Sequence, residues 1–463
     1  MREQAAKKDF AHGSLARIIL RLAIPILIAE IVHVLYSLVD RMYIGHIPDI
    51  GTPALTGIGL TLPLVSLIGA FANLCSTGGS PLCSIARGEN NIAEAERIQE
   101  NAFTLLLVFS IALTAVLFAF KRPILTALGG NDETLPIAIE YFEIYVLGTI
   151  FSMISLGCNP YINMQGFSIY GMFTVILGAT TNIVLDPLFI FTFGWGVRGA
   201  AAATVLSQML SAAWVLKFCT GNKAILRIRK LRLEGTYIRK IFALGLSGFT
   251  LKATNSITQA VVNITLRSWG GAASTLYIGS MSIINSIREV VSQPIVSVAH
   301  AAQPVLGFNF GAKQYHRARQ CILFMTGMTL AYNIIAWPIL QFFPRPLIRI
   351  FTDDEELIIL CIRCLKIYFG AYMLMAFQQA GQNTFIGLNY PKYAVFFSLF
   401  RKVILVAPLT LILPHTRLGV EGVFYAEMIS QIVGALSCYS TMLIKVWSKL
   451  KGLEKSTAQD PLL

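Results

Sequence analysis

TTNIVLDPLF, residues 180–189, lies within a mostly apolar run from Met172 to Phe193. About 20 apolar residues suffice for a helix to cross a bilayer, so Asn182, Asp186 and Pro187 fall inside a span. An ionised carboxylate is costly there, and a proline removes one amide donor and clashes one turn back. Outward from this stretch the chain repeats the same theme. It has 463 residues, 55% of them hydrophobic, with 13% charged and a mean hydropathy of +0.65. A soluble chain of this length would divide into several domains with far more surface charge. The apolar residues come instead in membrane-length blocks, which reads as an all-α polytopic membrane protein.

Polar breaks separate twelve expected spans: 15–44, 53–79, 95–120, 135–162, 168–193, 197–219, 238–268, 273–299, 316–343, 357–386, 391–413 and 419–446. The stretch from Lys217 to Lys240 holds eight Lys/Arg against the single acid Glu234 and divides the chain near its middle. Lys7 and Lys8, Lys313, Arg317 and Arg319, Lys392, Arg401 and Lys402, and Lys445, Lys449 and Lys451 all fall on the same side of an even-spanned chain. The DDEE at 353–356 falls on the other side. The positive-inside rule then places both termini in the cytoplasm. The net charge of +13 is thereby a topology signal, and no nucleic-acid partner is expected. The first apolar segment is too long for a signal-peptide core, so the N-terminus is expected to be retained.

The two halves repeat at a constant offset of 223 residues. Pro81 and Gly88 recur as Pro304 and Gly311, Arg122-Pro123 as Arg345-Pro346, and Ile144-Tyr145 as Ile367-Tyr368. GVRGAAAATVLSQ at 196–208 recurs as GVEGVFYAEMISQ at 419–431. Six spans per half make the repeats parallel, two six-helix bundles related by a pseudo-two-fold axis along the membrane normal, with a substrate cavity expected between them. The expected domains are 1–219, a basic cytoplasmic linker 220–237, 238–446, and a tail 447–463.

Ionisable groups within spans are functional candidates by default. They are Glu30, Asp40, Asp186, Lys252, the neighbours Arg288 and Glu289, and Glu427. Asn182 and Asp186 are four apart and share a helix face. With the carbonyl of Ile183 loosened by Pro187, with Asp40, and with the hydroxyl of Thr204, they offer oxygen ligands for a hard monovalent cation or a protonatable site. A structural role, Asp186 capping a broken helix and Asp40 pairing with Arg41, is the competing reading. The repeat replaces Asp40 by Asn263, Asn182 by Leu405, Asp186 by Leu409 and Thr204 by Glu427. That asymmetry suggests one ion site, in the N-terminal bundle. Tyr36, His33, Glu289 and Asn263 are expected to face the substrate cavity. His33 has a packing alternative, and Glu289 the alternative of a self-satisfied pair with Arg288.

GxxxxGK, HExxH and GxSxG patterns are absent, so nucleotide hydrolysis and the common hydrolase chemistries have no motif to rest on. The eight cysteines are scattered. Cys361 and Cys364 form a CxxC without a second pair, and all eight are expected to be small lipid-facing or packing residues. No enzyme activity and no cofactor are expected beyond a coupling ion.

On Tyr36, Asp40 and Gly45 of YSLVDRMYIGH, on Asn182 and Asp186, and on Thr204 in GVRGAAAAT, the chain resembles the multidrug and toxic compound extrusion (MATE) family. The resemblance covers essentially residues 1–446 and is nearest the DinF and MepA-like branch. It implies an N-lobe site for H+ or Na+ at Asp40, Asn182, Asp186 and Thr204, which would be the metal ligands if the ion is Na+. It implies a plasma-membrane antiporter that exports organic, often cationic, amphiphilic compounds by alternating access, expected here as a monomer. Glu289 resembles a glutamate of MepA-like members. The NorM-like branch uses acidic C-lobe residues, and Asn263 in place of an acid argues against such a site here. The rival reading is a lipid-linked oligosaccharide flippase of the same superfamily, for which Arg41, Arg267 and Arg288 offer cationic side chains.

Overall fold

The computed structural model describes residues 10–48 and 50–459, and every regular element among the described residues is helical. The principal helices are α1 (Leu15–Gly45), α2 (Gly51–Gly88), α3 (Ile92–Ala119), α4 (Thr134–Leu147), α5 (Thr149–Met164), α6 (Ser168–Pro187), α7 (Gly196–Thr220), α8 (Gly235–Trp269), α9 (Ser274–Gly311), α10 (Tyr315–Phe342), α11 (Glu355–Tyr368), α12 (Met375–Gly387), α13 (Pro391–Leu399) and α14 (Gly422–Met442). Among the described residues, eight helices are long and apolar enough to cross a membrane. Two bent pairs bring the number to ten, α4 with α5 at 57° and α11 with the segment Tyr372–Gly387 at 45°. The seventh and eighth expected spans are α8 and α9, 35 and 38 residues long. Their apolar character is diluted by Lys252, Asn255, Gln259, Asn263, Asn285, Arg288 and Glu289.

The 223-residue register is present in the helices themselves. α2 and α9 begin and end 223 residues apart, as do α3 and α10. The left-handed backbone positions repeat too: Asn90 with Lys313, Gly166 with Asn389, and Gly196 with Gly419. At the first pair the next amide reaches back five residues, Asn91 N to Ala86 O and Gln314 N to Asn309 O, both 2.9 Å. This Schellman closure stops the helix where hydropathy alone gives no stop signal. α2 and α9 therefore run about nine and twelve residues beyond the apolar windows 53–79 and 273–299.

Pro187 does not end its helix. It stays helical, with φ −63° and ψ −32°, and leads into a π-helical turn, Leu188–Thr192, closed by Phe193 N to Leu188 O at 2.9 Å. A missing amide thus shifts the bonding register by one residue instead of breaking the span. The second half has its own π-helical turn, Phe400–Val406, placed before Pro408.

Contacts divide the chain into two compact units. One holds Arg21–Lys252; the other holds Ala253 onward together with the segment ending at Leu20. In the first unit, residues 221–234 are extended along α3. Their backbone donors need acceptors, and polar side chains supply them. Gln165 Oε1 accepts from Ile225 N and Leu226 N at 2.7 and 2.9 Å, and Thr104 Oγ1 from Arg232 N at 3.1 Å. Glu100 Oε1 accepts from Arg229 N and Lys230 N at 3.1 and 3.0 Å, and its other oxygen pairs with Arg232 at 2.9 Å. The basic segment is a strap docked on its own bundle.

α6 and α7 pack unusually close. A Cβ at Gly199 would lie 2.7 Å from Phe189 C and O, and one at Gly178 would lie 2.5 Å from Ser211 Oγ. The second half repeats this at Gly422, 2.7 Å from Leu413 C.

Two outcomes follow. Glu100→Ala leaves the amides of Arg229 and Lys230 without their acceptor and removes one of the two carboxylates paired with Arg232, at about 1–3 kcal/mol. It should lower the Tm of the detergent-purified protein and speed tryptic cleavage at Arg227–Arg232; unchanged cleavage rates would refute the strap. Gly199→Ala should lower Tm by several degrees, because the clashing atoms are backbone and only the helices can yield.

Candidate functional site

Three helices of the first unit build the site. α1 carries Asp40, α6 carries Asn182 and Asp186 one turn apart, and α7 carries Thr204 five residues beyond the glycine that admits it to α6. Asn182 and Asp186 are buried, at 1% and 0% exposure. Asn182 Nδ2 donates to Asp186 Oδ1 at 3.1 Å and, at the outer limit of a hydrogen bond, to Thr204 Oγ1 at 3.5 Å. Tyr141, buried on α4, lies beside Thr204. Tyr145, also buried on α4, stacks on Tyr141 at 5.8 Å between ring centroids.

The carboxyl groups of Asp40 and Asp186 face each other closely enough to interact electrostatically. No N–H or hydroxyl donor reaches Asp40 Oδ1, Asp186 Oδ2 or Asn182 Oδ1, although all three atoms are buried. Two carboxyls can meet in this way only around a proton that one of them carries or a cation that both share. The donor set is all oxygen, which suits a hard cation and not a softer transition metal. Among the described residues no cluster of three His, Cys, Asp or Glu suited to a metal occurs. The oxygen ligands present are of the kind that fit H+ or Na+.

The structure brings Asp40, Asn182, Asp186 and Thr204 together. Tyr36 lies in the electrostatic field of both aspartates. His33 is exposed and stands edge-on to Tyr36 at 5.1 Å. Asn263 and Glu289 belong to the other unit. Asn263 is exposed and accepts from Gln259 at 3.3 Å, and Gln259 accepts from Asn285 at 3.1 Å. Glu289 is exposed, whereas Arg288 faces Tyr368 and Glu427, so the two neighbours have different surroundings. Asp186 caps no helix end, since the chain continues helically through Pro187. All eight cysteines are buried and free of disulfides.

Sequence reasoning missed Tyr141 and Tyr145, whose only signal was two tyrosines one turn apart inside a span. It also misread Arg401 and Lys402. Both were counted as positive-inside residues, yet Lys402 is 6% exposed and both pair with the buried Glu427. A charge pair between two separate spans leaves no mark in local hydropathy.

The chain's relatives agree with this architecture. The family model MatE matches residues 25–188 and 253–412, one stretch in each half. The chain is 24% identical to a FAD transporter of Shewanella oneidensis, over 92% of this chain and 95% of that protein. It is 21% identical to the multidrug export protein MepA of Staphylococcus haemolyticus, over 92% and 93%. Among solved structures it is similar to an outward-facing multidrug resistance MATE family transporter of the MOP superfamily, with TM-score 0.87 and 22% identity over 96% and 98% of the chains. A MATE structure in a bent conformation gives TM-score 0.89 and 22% identity over 98% and 99%. At such identities the structural likeness shows the fold, and the family model, matching more than half the residues, shows the kinship. This chain is a multi-pass membrane protein of the MatE family, a transporter and not an enzyme.

Proposed function

We propose that the chain is a secondary active antiporter that exports organic, often cationic, amphiphiles in exchange for H+ or Na+. In this reading it works by alternating access as a monomer in the plasma membrane, with both termini cytoplasmic. The observation that carries the reading is the Asp40–Asp186 pair with Asn182 and Thr204 around it. Three buried oxygens there lack any donor from the protein, so an incoming cation meets a prepared ligand set. Ion entry neutralises the pair and removes the electrostatic penalty of holding two carboxylates together. Coupling then requires that ion and drug favour different arrangements, because a ligand that binds both equally shifts nothing.

The relatives named for multidrug export and for FAD share this architecture, which leaves the substrate to the cavity and not to the fold. Of the three arginines that a lipid-linked oligosaccharide flippase would recruit, Arg41 and Arg267 are exposed, and Arg288 alone lines an internal pocket. The antiporter reading has the better support.

Efflux from proteoliposomes under separately imposed pH and Na+ gradients tests it. Asp40→Asn and Asp186→Asn should insert at wild-type levels and lose ion-driven efflux. Thr204→Ala, which removes one neutral ligand worth about 1 kcal/mol, should raise the ion concentration for half-maximal rate about fivefold. Undiminished efflux by both aspartate variants would overturn the assignment. The gradient that drives wild-type transport identifies the ion.

A further inference from the structure

The second unit contains a buried charge cluster that the ion site does not use. Lys402 Nζ lies 3.2 and 3.3 Å from the two oxygens of Glu427, and Arg401 Nη1 lies 3.1 Å from Oε1. Glu427 is 5% exposed. Arg288 of α9 faces the same carboxylate, and its Nε is buried without an acceptor. Three basic groups thus surround one acid in the interior of the spans, where uncompensated charge is expensive.

These groups line a pocket. Arg288, Lys402 and Glu427 share its wall with Asn255, Thr258, Gln259 and Asn285, whose amides and hydroxyl supply neutral donors. The centre of a water molecule has about 40 Å3 in which to move. That is room for a few waters or one small anionic group. In the 223-residue register, Glu427 stands where Thr204 stands in the first unit, and Tyr368 where Tyr145 stands. Leu405 and Leu409 replace Asn182 and Asp186. The place that holds acids in one bundle holds mainly bases in the other.

We propose that this pocket binds a single small anionic group, either a free inorganic anion such as chloride or the carboxylate or phosphate of a larger solute. Arg288 is the principal ligand, through the guanidinium nitrogen that no protein acceptor satisfies. Lys402 is shared between the anion and Glu427. Glu427 acts as the internal competitor, because its carboxylate holds two of the three cations by itself. The proposal goes beyond the ion-coupling reading and does not depend on it, since no residue of the Asp40–Asp186 site takes part.

The test uses the full-length protein purified in detergent, at constant ionic strength set with the bulky sulfonate buffer HEPES. Chloride, acetate and inorganic phosphate are each titrated, and the Tm is read as a function of concentration. Wild type should show a saturable rise. Saturation by chloride alone identifies a free halide site, and saturation by acetate or phosphate identifies the headgroup of a larger solute. Arg288→Gln should raise the half-saturating concentration about tenfold or more, the loss of one charge-assisted bond. Glu427→Gln should lower it, because the competing carboxylate is gone. Opposite signs from two changes in one cluster separate anion binding from a packing effect. If Arg288→Gln does not fold, Arg288→Lys keeps the charge but gives up the forked geometry, and should weaken binding several-fold. A non-saturating, identical rise in all variants is a general salt effect and overturns the proposal, as does weaker binding in Glu427→Gln.

Discussion

The nearness of the carboxyls of Asp40 and Asp186, each in the electrostatic field of the other, is the constraint around which the first bundle is built. In a medium of low dielectric two carboxylates repel strongly, so the arrangement stands only with a proton or a cation between them. Holding it takes three helices at fixed heights. α6 and α7 reach the necessary closeness because Gly178 and Gly199 present no Cβ to Ser211 and to the backbone of Phe189. The π-helical turn after Pro187 keeps the span continuous beyond the aspartate, so the carboxyl stays inside the bundle and does not cap an exposed helix end.

The same scaffold is used twice with different polar contents. Helix limits, left-handed closures and the glycine contact at the start of α7 all recur 223 residues on. Backbone features repeat because they solve the same problem, closing helix ends without exposing unpaired amides to lipid. Ionisable side chains do not repeat, because each one inside a span needs its own partner. In the first unit the partners are two carboxyls, an amide and a hydroxyl; in the second they are Glu427, Arg401, Lys402 and Arg288. The segment between the halves, which reads as a basic linker, is bound by Glu100, Gln165 and Thr104. Its polarity reflects where it lies, and its acceptors keep it there.

Much of this was legible in the sequence, and the failures have physical causes. All twelve span positions followed from apolar blocks between polar breaks, although the polar residues of α8 and α9 dilute the apolar signal there. Asn182 and Asp186 were visible because spacing of four on one helix is a local property. The break between α4 and α5 near Gly148, the extension of α2 and α9 past their apolar windows, and the place of Tyr141 against Thr204 were not visible. Each depends on a neighbour distant in the chain. Arg401 and Lys402 mislead for the same reason. Although they lie in the middle of the span 391–413, they read as cytoplasmic charges, and only Glu427, 25 and more residues away, shows that they point inward.

By itself the sequence determined the class of the protein: a helical membrane chain, duplicated, with one half retaining acidic residues that the other lacks. Hydropathy, repeat offset and helical spacing are properties of a single strand of residues, and they need no contacts to be read. Which polar groups meet was decided by the tertiary structure alone. Burying a charge in the membrane interior is tolerable only when a specific partner is within reach, and that reach is set by how closely the helices approach. The convergence of Asp40 on Asp186, and of three bases on Glu427, exists only once those helices have packed.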